Sequence, residues 1–341
     1  MQGLYYFPED LEQIISARAR ETGAEEPRRI AAAIARLSDL FNGKIPWDPA
    51  YHRDPRLRRA YLEYFLPVNL PKVRTPLSLW LHERPGVWAG RRLRCLDLGS
   101  GPGSALLGLC DFVRSLSAAE RPSELDLVAT DLSAENLDDA ERLLRQFGEV
   151  EPALPPIRFG ALRLDLFADR SGLFPIARAG GRFDLVIAAN VLCELVREDG
   201  GLDRAEALIR SAALEVLEAD GAIVLIEPGL RETSRDLHRL RDRLLRKGEG
   251  DPRPTLFVHA PCLHEDPCPA LATERDWCTA DMAWEPPRTV AELDRMTGLR
   301  KGSLKFSYLL LGAEPPPAPA PSVWRVVSDV LDLKGERRVY L

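Results

Sequence analysis

The sequence predicts an α/β fold in which a mostly parallel sheet carries helices on its faces. Strand-type and helix-type patterns alternate from Arg92 to about Gly248, a glycine-rich turn follows the first of these strands, and an acid ends the next strand. Such alternation is typical of βαβ units. The 341 residues, 45% of them hydrophobic and 29% charged, suffice for one large domain with additions or for two domains.

The first part of the chain, residues 1–90, is predicted to be a helical N-terminal module. Apolar residues recur there at helical spacing in two stripes. The stripes consist of Leu11, Ile14, Ile15 and Ala19, and of Ile30, Ile34, Leu37 and Leu40. Two further helices are expected near 57–66 and 70–81, broken by Pro67, Pro71 and Pro76.

Residues 91–248 are predicted to form a Rossmann-like core. Its strands are expected at 93–98, 125–131, 157–164, 183–189 and 222–227, and its helices near 103–117, 133–147, 191–218 and 231–246. Residues 249–303 lose this periodicity and form a Cys-rich segment. Residues 304–341 are expected to supply C-terminal strands that complete the sheet, at 305–311 and 338–341, on either side of a proline-rich stretch, 314–322.

The turn after the first core strand reads LDLGSGPGSALL, with Gly99, Gly101 and Gly103. Glycines let the backbone turn sharply and approach a ligand, and the N–H groups at the following helix favour polar or anionic ligand groups. Asp131, at the tip of the next strand, can accept both hydroxyls of a ribose. These residues predict an adenosine-type cofactor, although the spacing is not the dinucleotide fingerprint.

Two more acids belong to this predicted cofactor site. Asp97 lies beside the glycine turn, where it contacts the cofactor or only orients the loop, and Asp165 ends a third strand near a purine edge. The alternative is a purely structural turn with solvated acids at the strand ends.

The fourth core strand, FDLVIAAN, ends where the substrate faces the sheet in such folds. Asn190 is therefore the candidate for the acceptor pocket, with Cys193 and Glu194 close behind it. Cys193 is a nucleophile or, as we favour, a small buried helix residue. Glu227 is interpreted as a strand-end group without chemistry, and the sequence identifies no catalytic residue.

A second unusual stretch, 259–282, contains Cys262, Cys268 and Cys278 among several prolines. Thiolates bind zinc or iron–sulfur clusters, and prolines stiffen a loop that directs sulfurs to one point. The spacing C-x5-C-x9-C is neither a zinc-finger nor a ferredoxin pattern, so chance clustering is the alternative. His259, His264 and Cys193 are the candidates for a fourth ligand.

The net charge of −6 shows no global basicity, and we expect neither DNA nor a membrane as a partner. One basic group, residues 53–74, lies near Tyr61, Tyr64 and Phe65, an arrangement that RNA can use. A second group, residues 231–247, is interpreted as a solvated helix face. The first residues show no signal-peptide pattern and no apolar run reaches the length of a membrane span, which predicts a cytoplasmic protein.

The glycine turn, Asp131 and the fourth strand together resemble class I S-adenosylmethionine (SAM)-dependent methyltransferases. Three further stretches, LPVNLPKVR (66–74), APCLHEDPCP…DWC (260–278) and KFSYLLL (305–311), resemble the methyltransferase-like proteins of the small ribosomal subunit. That family includes bacterial members and mitochondrial assembly factors. The resemblance spans residues 50–341, and with the bacterial members it implies a bacterial cytoplasmic protein.

This resemblance implies a SAM cofactor, association with small-subunit rRNA, and a [4Fe-4S] cluster whose first three ligands correspond to Cys262, Cys268 and Cys278. The fourth ligand of relatives lies near the C-terminus, and here no cysteine follows Cys278. The chain stops inside an apolar strand pattern, so we expect it to be truncated before that ligand. The resemblance favours a methyltransferase. The alternatives are a non-catalytic assembly factor that keeps the cofactor fold, and a small-molecule methyltransferase with a structural zinc.

Overall fold

The structure, a computed structural model, describes residues 3–23, 25–48, 50–166, 173, 176, 181–197, 199–246, 256–317, 324–325 and 331–338. Nine of its strands form one sheet, and two short strands form a separate hairpin. The sheet contains β1 (Tyr5–Tyr6), β2 (Arg92–Leu98), β3 (Glu124–Asp131), β4 (Ile157–Arg163), β5 (Phe183–Ala189), β6 (Leu217–Pro228), β7 (Phe257–Ala260), β8 (Ala280–Glu285) and β9 (Ser303–Gly312). The hairpin contains β10 (Leu331–Leu333) and β11 (Glu336–Arg338).

The helices lie between these strands and before β2. They are α1 (Glu9–Glu21), α2 (Pro27–Phe41), α3 (Pro55–Ala60), α4 (Leu66–Asn69), α5 (Arg74–Glu83), α6 (Ser104–Arg114), α7 (Ala134–Val150), α8 (Leu192–Leu195), α9 (Gly201–Ser211), α10 (Arg231–Leu245) and α11 (Arg288–Thr297). Single turns of other helix types join some of them, at Tyr51–Arg53, Tyr61–Phe65, Leu70–Val73, Ala212–Val216 and Pro269–Leu271.

The centre of the sheet is parallel, as predicted. β2 pairs with β3 on one side and with β5 on the other, β4 lies outside β3, and β6 lies outside β5. The chain therefore reverses its direction of winding between β2 and β5. In open α/β sheets a crevice forms at the carboxyl ends of the strands at such a point, and ligands bind there.

The far side of the sheet is largely antiparallel. β9 runs antiparallel to β6 and also pairs with β7 and β8, and β1 lies beside β8. The all-helical prediction for the first 90 residues is thus wrong at β1, which is too short to show alternation. The loss of periodicity predicted for residues 249–303 holds for the cysteine-containing loop, whereas β7, β8 and α11 surround that loop.

The three prolines do not break the helices near residue 70. Turn follows turn from α3 to α5, and Pro67 and Pro71 occupy first-turn positions of their segments. A first-turn residue needs no intrahelical N–H bond, so proline is tolerated there. The chain accordingly changes its helix type at these points and keeps its direction.

The core has one layer on each face of the sheet. The helices before β2 pack with α6 and α7 in one hydrophobic cluster, and α8, α9 and α10 cover the opposite face. The contact at Gly108 is especially close, because a Cβ added there would lie 2.1 Å from the carbonyl oxygen of Leu70. The N-terminal helices are thereby part of the same core as the sheet.

The last predicted strand, 338–341, includes only Arg338 among the described residues, and Arg338 ends β11. Residues 339–341, like 318–322 of the proline-rich stretch, lie outside them. In the described ranges, no helix combines the length and the apolar character needed to cross a membrane.

Candidate functional site

The glycine turn joins β2 to α6 in a left-handed backbone conformation. The φ angles are +68° at Gly99, +53° at Gly101 and +85° at Gly103, which immediately precedes α6. L-residues with a side chain rarely adopt such angles. A Cβ on Gly99 would also lie 2.5 Å from a methyl group of Val191, so the turn and the segment after β5 approach each other only because this residue is glycine.

Asp131 holds this turn against the end of β3. Its carboxylate accepts hydrogen bonds from the N–H of Gly101 (2.9 Å), the N–H of Ser133 (2.8 Å) and the side-chain amide of Asn136 (3.2 Å). Burial raises the pKa of the Asp131 carboxyl, and these hydrogen bonds oppose that shift. The acid predicted for the ribose therefore also orders the loop beside it.

A cavity of about 420 Å³ opens at the carboxyl ends of β2, β3 and β5. The predicted residues Asp97, Gly99, Gly101, Asp131, Asp165 and Asn190 line it together. Gly103 is not part of its lining and lies at the start of α6. The volume falls within the usual range of small-molecule and cofactor sites.

The other side of the cavity comes from elements that the sequence analysis did not assign to it. The additional side chains include Trp47, Tyr51, His52, Tyr61, Asn69 and Arg204, and Glu194, which the sequence analysis placed close behind Asn190, also lines the cavity. Five of these precede β2, so the N-terminal helices form part of the cavity wall. In the sequence, only the aromatic residues of WDPAYH (47–52) could have indicated this wall. Aromatic residues alone, however, do not distinguish a cavity wall from a hydrophobic core.

Asp97 is the most unusual group in the cavity. The residue is 1% exposed, and neither carboxylate oxygen has a hydrogen-bond partner among the described residues. Burial, with the nearby charge of Asp131, raises the pKa of Asp97 to about 8. A buried polar group without a partner is costly, so a ligand group that donates hydrogen bonds fits this position.

The segment after β5 is held in place by hydrogen bonds to Glu227 at the end of β6. The Glu227 carboxylate accepts the N–H groups of Leu192 (2.9 Å) and Cys193 (3.1 Å), and burial raises its pKa to about 7. Asn190 itself has φ = +58°, and its N–H donates to the carbonyl of Ile226 at 2.7 Å. Glu227 thus acts as a structural anchor for the strand end that carries Asn190.

Cys193 lies on the short helix α8, half-buried. Burial and the neighbouring Glu227 raise its pKa well above the ordinary value, which keeps it a thiol. Its Sγ donates to the carbonyl oxygen of Asn190 over 3.6 Å. A protonated thiol in this position is a poor nucleophile, in line with the helix-residue interpretation.

The cysteine loop, residues 261–279, is held against α10. The N–H of Cys268 donates to the carboxylate of Asp242 (3.0 Å), and the N–H of Cys278 donates to Nε2 of His238 (3.0 Å). Arg241, fully buried, donates to the carbonyls of His264 (2.6 Å) and Asp266 (2.9 Å). The interpretation of this helix as a solvated basic face is therefore wrong for Arg241.

The three cysteines do not form a closed ligand set. Across the parts of the chain that the structure describes, no three His, Cys, Asp or Glu side chains come together closely enough to hold a metal ion. His259, one candidate for a fourth ligand, bonds instead to Glu83 (2.6 Å) and to the carbonyl of Glu314 (3.0 Å). Among the described residues, these side chains therefore do not assemble a metal centre.

Several side chains of the basic group at residues 53–74, which was interpreted as an RNA surface, form ion pairs within the chain, whereas Arg53 and Arg56 are exposed. Arg56 pairs with Glu25, Arg58 with Asp139, Arg59 with Glu63 and Arg74 with Asp111. Lys72 is buried and donates to Asn69 at 2.7 Å. The aromatic rings predicted to stack on RNA pack against the core or line the cavity.

A sequence model of the family described as mitochondrial small ribosomal subunit Rsm22 matches residues 88–339, nearly three quarters of this chain. The chain belongs to the Rsm22 family. The resemblance noted in the sequence is thereby confirmed, and the match includes the glycine turn, β5 and the cysteine loop of this Rsm22 protein.

Solved structures similar to this Rsm22 chain are described as SAM-dependent methyltransferases. A putative class I enzyme from Listeria monocytogenes has 10% identity and a TM-score of 0.40, over 89% of this chain and 86% of that chain. A TehB-like protein from Corynebacterium glutamicum has 17% identity and a TM-score of 0.34, over 70% and 86%. A putative SAM-dependent methyltransferase from Streptococcus mutans has 15% identity and a TM-score of 0.38. The match covers 71% of this chain and 48% of that chain, about half of that protein. Among curated proteins, no significant match is found.

Proposed function

We propose that this chain binds SAM in the cavity at the end of β2 and acts as a methyltransferase-like protein of the small ribosomal subunit. The observation that carries the proposal is the buried, unpartnered carboxylate of Asp97 beside the glycine turn and Asp131. SAM carries an ammonium group, which can satisfy such a carboxylate, and a ribose diol, which suits an acid at a strand tip.

Different residues of the cavity would bind different parts of SAM. The backbone of the turn at Gly99 and Gly101 would lie against the polar end of SAM, Asp131 would hold its ribose, and Asp165 would lie near the purine. Bound SAM supplies a methyl group on a positively charged sulfur. The chain itself orients the two reactants and excludes water, with Asn190 at the border of the acceptor pocket.

The ribosomal part of the proposal is supported by the family description, which names the small ribosomal subunit. The partner would be the subunit or its rRNA. The cavity would serve either catalysis or, in a non-catalytic assembly factor, a cofactor-dependent fold. The same experiments separate these two possibilities.

Calorimetry with SAM and with S-adenosylhomocysteine (SAH) tests the cofactor. We expect both to bind the wild-type chain, and we expect Asp131→Ala to weaken both by about 1–3 kcal/mol, the range for unpaired buried polar groups. No binding by folded wild-type protein would refute the cofactor site, and unchanged affinity in the variant would refute the role of Asp131.

Small subunits from cells that lack this protein test the partner and the reaction. We expect the chain to cosediment with them, less at high salt because contacts to phosphate are salt-dependent. Transfer of a radioactive methyl group from SAM to the rRNA would establish the enzyme. Binding of SAM and subunit without transfer would support the assembly factor, and no cosedimentation at low salt would exclude the ribosomal role.

We also propose that the cysteine loop is the metal-binding segment implied by the resemblance, with a [4Fe-4S] cluster and zinc as the alternatives. Three cysteines in a proline-rich loop support this proposal, whereas their arrangement in the structure does not. Iron, sulfide and zinc analysis of protein purified without oxygen tests it, with Cys268→Ser as the matched variant. Absence of both metals from the wild-type protein would refute it.

A further inference from the structure

The cavity contains one more acidic side chain than the cofactor contacts described above require. Asp97, Asp131, Asp165 and Glu194 all line it. Asp131 accepts three hydrogen bonds, and Asp97 has no partner among the described residues, as shown above. Glu194 lies on α8, on the side of the cavity that carries Asn190, and is only partly exposed. Within the described part of the chain, no hydrogen bond to its carboxylate is found.

The environment of Glu194 disfavours its charge when no ligand is bound. Burial and the carboxylates of Asp131 and Glu227 raise its pKa to about 8, and Arg197 on the following turn opposes that shift. Tyr51 and Tyr61 line the same cavity, and the charge of Glu194 contributes to their raised pKa values. His52, Arg204, Asp97 and Asp165 are the other ionisable groups of the lining.

We propose that Glu194 is a specificity-determining residue that makes the cavity prefer SAM, with its positively charged sulfur, over the product SAH, whose sulfur is neutral. This inference rests on the proposed function, because it assumes that SAM occupies the cavity. The methyl group leaves from the sulfur toward the acceptor, so the sulfur must face the acceptor side. Glu194 is the acid of that side, whereas Asp97, beside the glycine turn, suits the ammonium group that both molecules share.

The charge of SAM on sulfur then stabilises ionised Glu194, and SAH, a neutral thioether, does not. Binding of SAM therefore lowers the pKa of Glu194 and releases a proton at neutral pH, since Glu194 begins mostly protonated. The preference for SAM increases as the pH rises toward and beyond the pKa of the free protein. If bound SAM lowers that pKa by one unit, the preference increases by about tenfold across the titration.

Calorimetry on the full chain at pH 6.5, 7.5, 8.5 and 9.5 gives the ratio of the SAM and SAH dissociation constants. The amino groups of the ligands titrate in the same range, so wild type is compared with Glu194→Gln at each pH. We expect the preference for SAM to rise with pH about tenfold more in wild type than in Glu194→Gln, with Glu194→Asp similar to wild type.

A second measurement counts protons. Calorimetry of wild type and Glu194→Gln at pH 7 in buffers of different ionisation enthalpy gives the number of protons released, and we expect the excess released with SAM over SAH to be larger in wild type than in Glu194→Gln. An equal excess, or equal ratios in wild type and Glu194→Gln at every pH, would overturn the role of Glu194 and leave the SAM site intact. Absence of binding of both ligands would instead refute the proposed function, and this inference with it.

Discussion

One buried carboxylate joins two of the N-terminal helices to the Rossmann-like core, in addition to the hydrophobic packing described above. Asp139 on α7 has a side chain that is 0% exposed, and it accepts from Nε of Arg18 (2.6 Å) and from Nε and Nη2 of Arg58 (2.6 and 2.7 Å). Its neighbour Asp138 also pairs with Arg18, at 2.7 Å, but is 45% exposed. The two adjacent acids form a natural comparison between a buried and an exposed ion pair.

Asp139→Asn removes the charge that two partly buried guanidinium groups share. Breaking a buried pair from one side costs about 3–5 kcal/mol, because the remaining charge stays buried without compensation. Asp138→Asn should cost about 0–1 kcal/mol, as for exposed pairs. With a urea m-value of roughly 3 kcal/mol/M, the difference corresponds to about 1 M in the unfolding midpoint.

Urea unfolding followed by circular dichroism measures both variants under one condition. Equal midpoints for Asp138→Asn and Asp139→Asn would refute the reasoning that Asp139 anchors the N-terminal helices. Arg58→Met together with Asp139→Asn extends the test. Partial recovery of stability in the double variant is expected, because one of the two guanidinium charges left without Asp139 then disappears.

Three further predictions concern the glycine turn, the buried acid and the cysteine loop. Gly99→Ala should lower the affinity for SAM at least about tenfold, because the added Cβ would displace Val191. Gly86→Ala is the control, because Gly86 has a similar φ but no atom lies within 4 Å of the added Cβ, and the affinity should be unchanged. Calorimetry with SAM measures the affinity of both variants. Asp97 has a folded-state pKa of about 8, above its ordinary 3.8, so the folded protein holds a proton that the unfolded chain has lost. The free energy of unfolding should therefore fall as the pH rises from about 4 to about 8. Asp97→Asn should make this fall smaller in urea titrations, and a pH profile equal to that of wild type would contradict the prediction. Arg241→Met should open the cysteine loop to limited proteolysis between residues 261 and 279, and the exposed control Arg239→Met should not.

The part of the site that local patterns encode could be predicted from the sequence. Gly99 and Asp131 follow directly from a strand that ends in a turn and from a strand that ends in an acid, and parallel strands bring such ends to one edge. The roles of charged residues are harder to predict, because a sequence does not show which partner each charge has in the folded protein. Arg58 and Arg241 have the pattern of surface arginines, and only the contacts of α7 and of the cysteine loop show that they are structural.

The cavity wall formed by the N-terminal helices could not be predicted from the sequence, because it depends on contacts between residues far apart in the chain. Arg197, just after α8, donates to the carbonyls of Leu40 (3.4 Å) and Phe41 (2.5 Å). Its guanidinium also lies 5.0 Å from the centre of the Trp47 ring. The last carbonyls of α2 lie at the negative end of the helix dipole and attract a cation, so this contact joins the N-terminal helices to the segment that carries Glu194. A ligand that contacts both sides of the cavity would therefore couple its binding to the docking of the N-terminal helices. By linkage, such a ligand must stabilise the docked helices as much as their docking strengthens its binding.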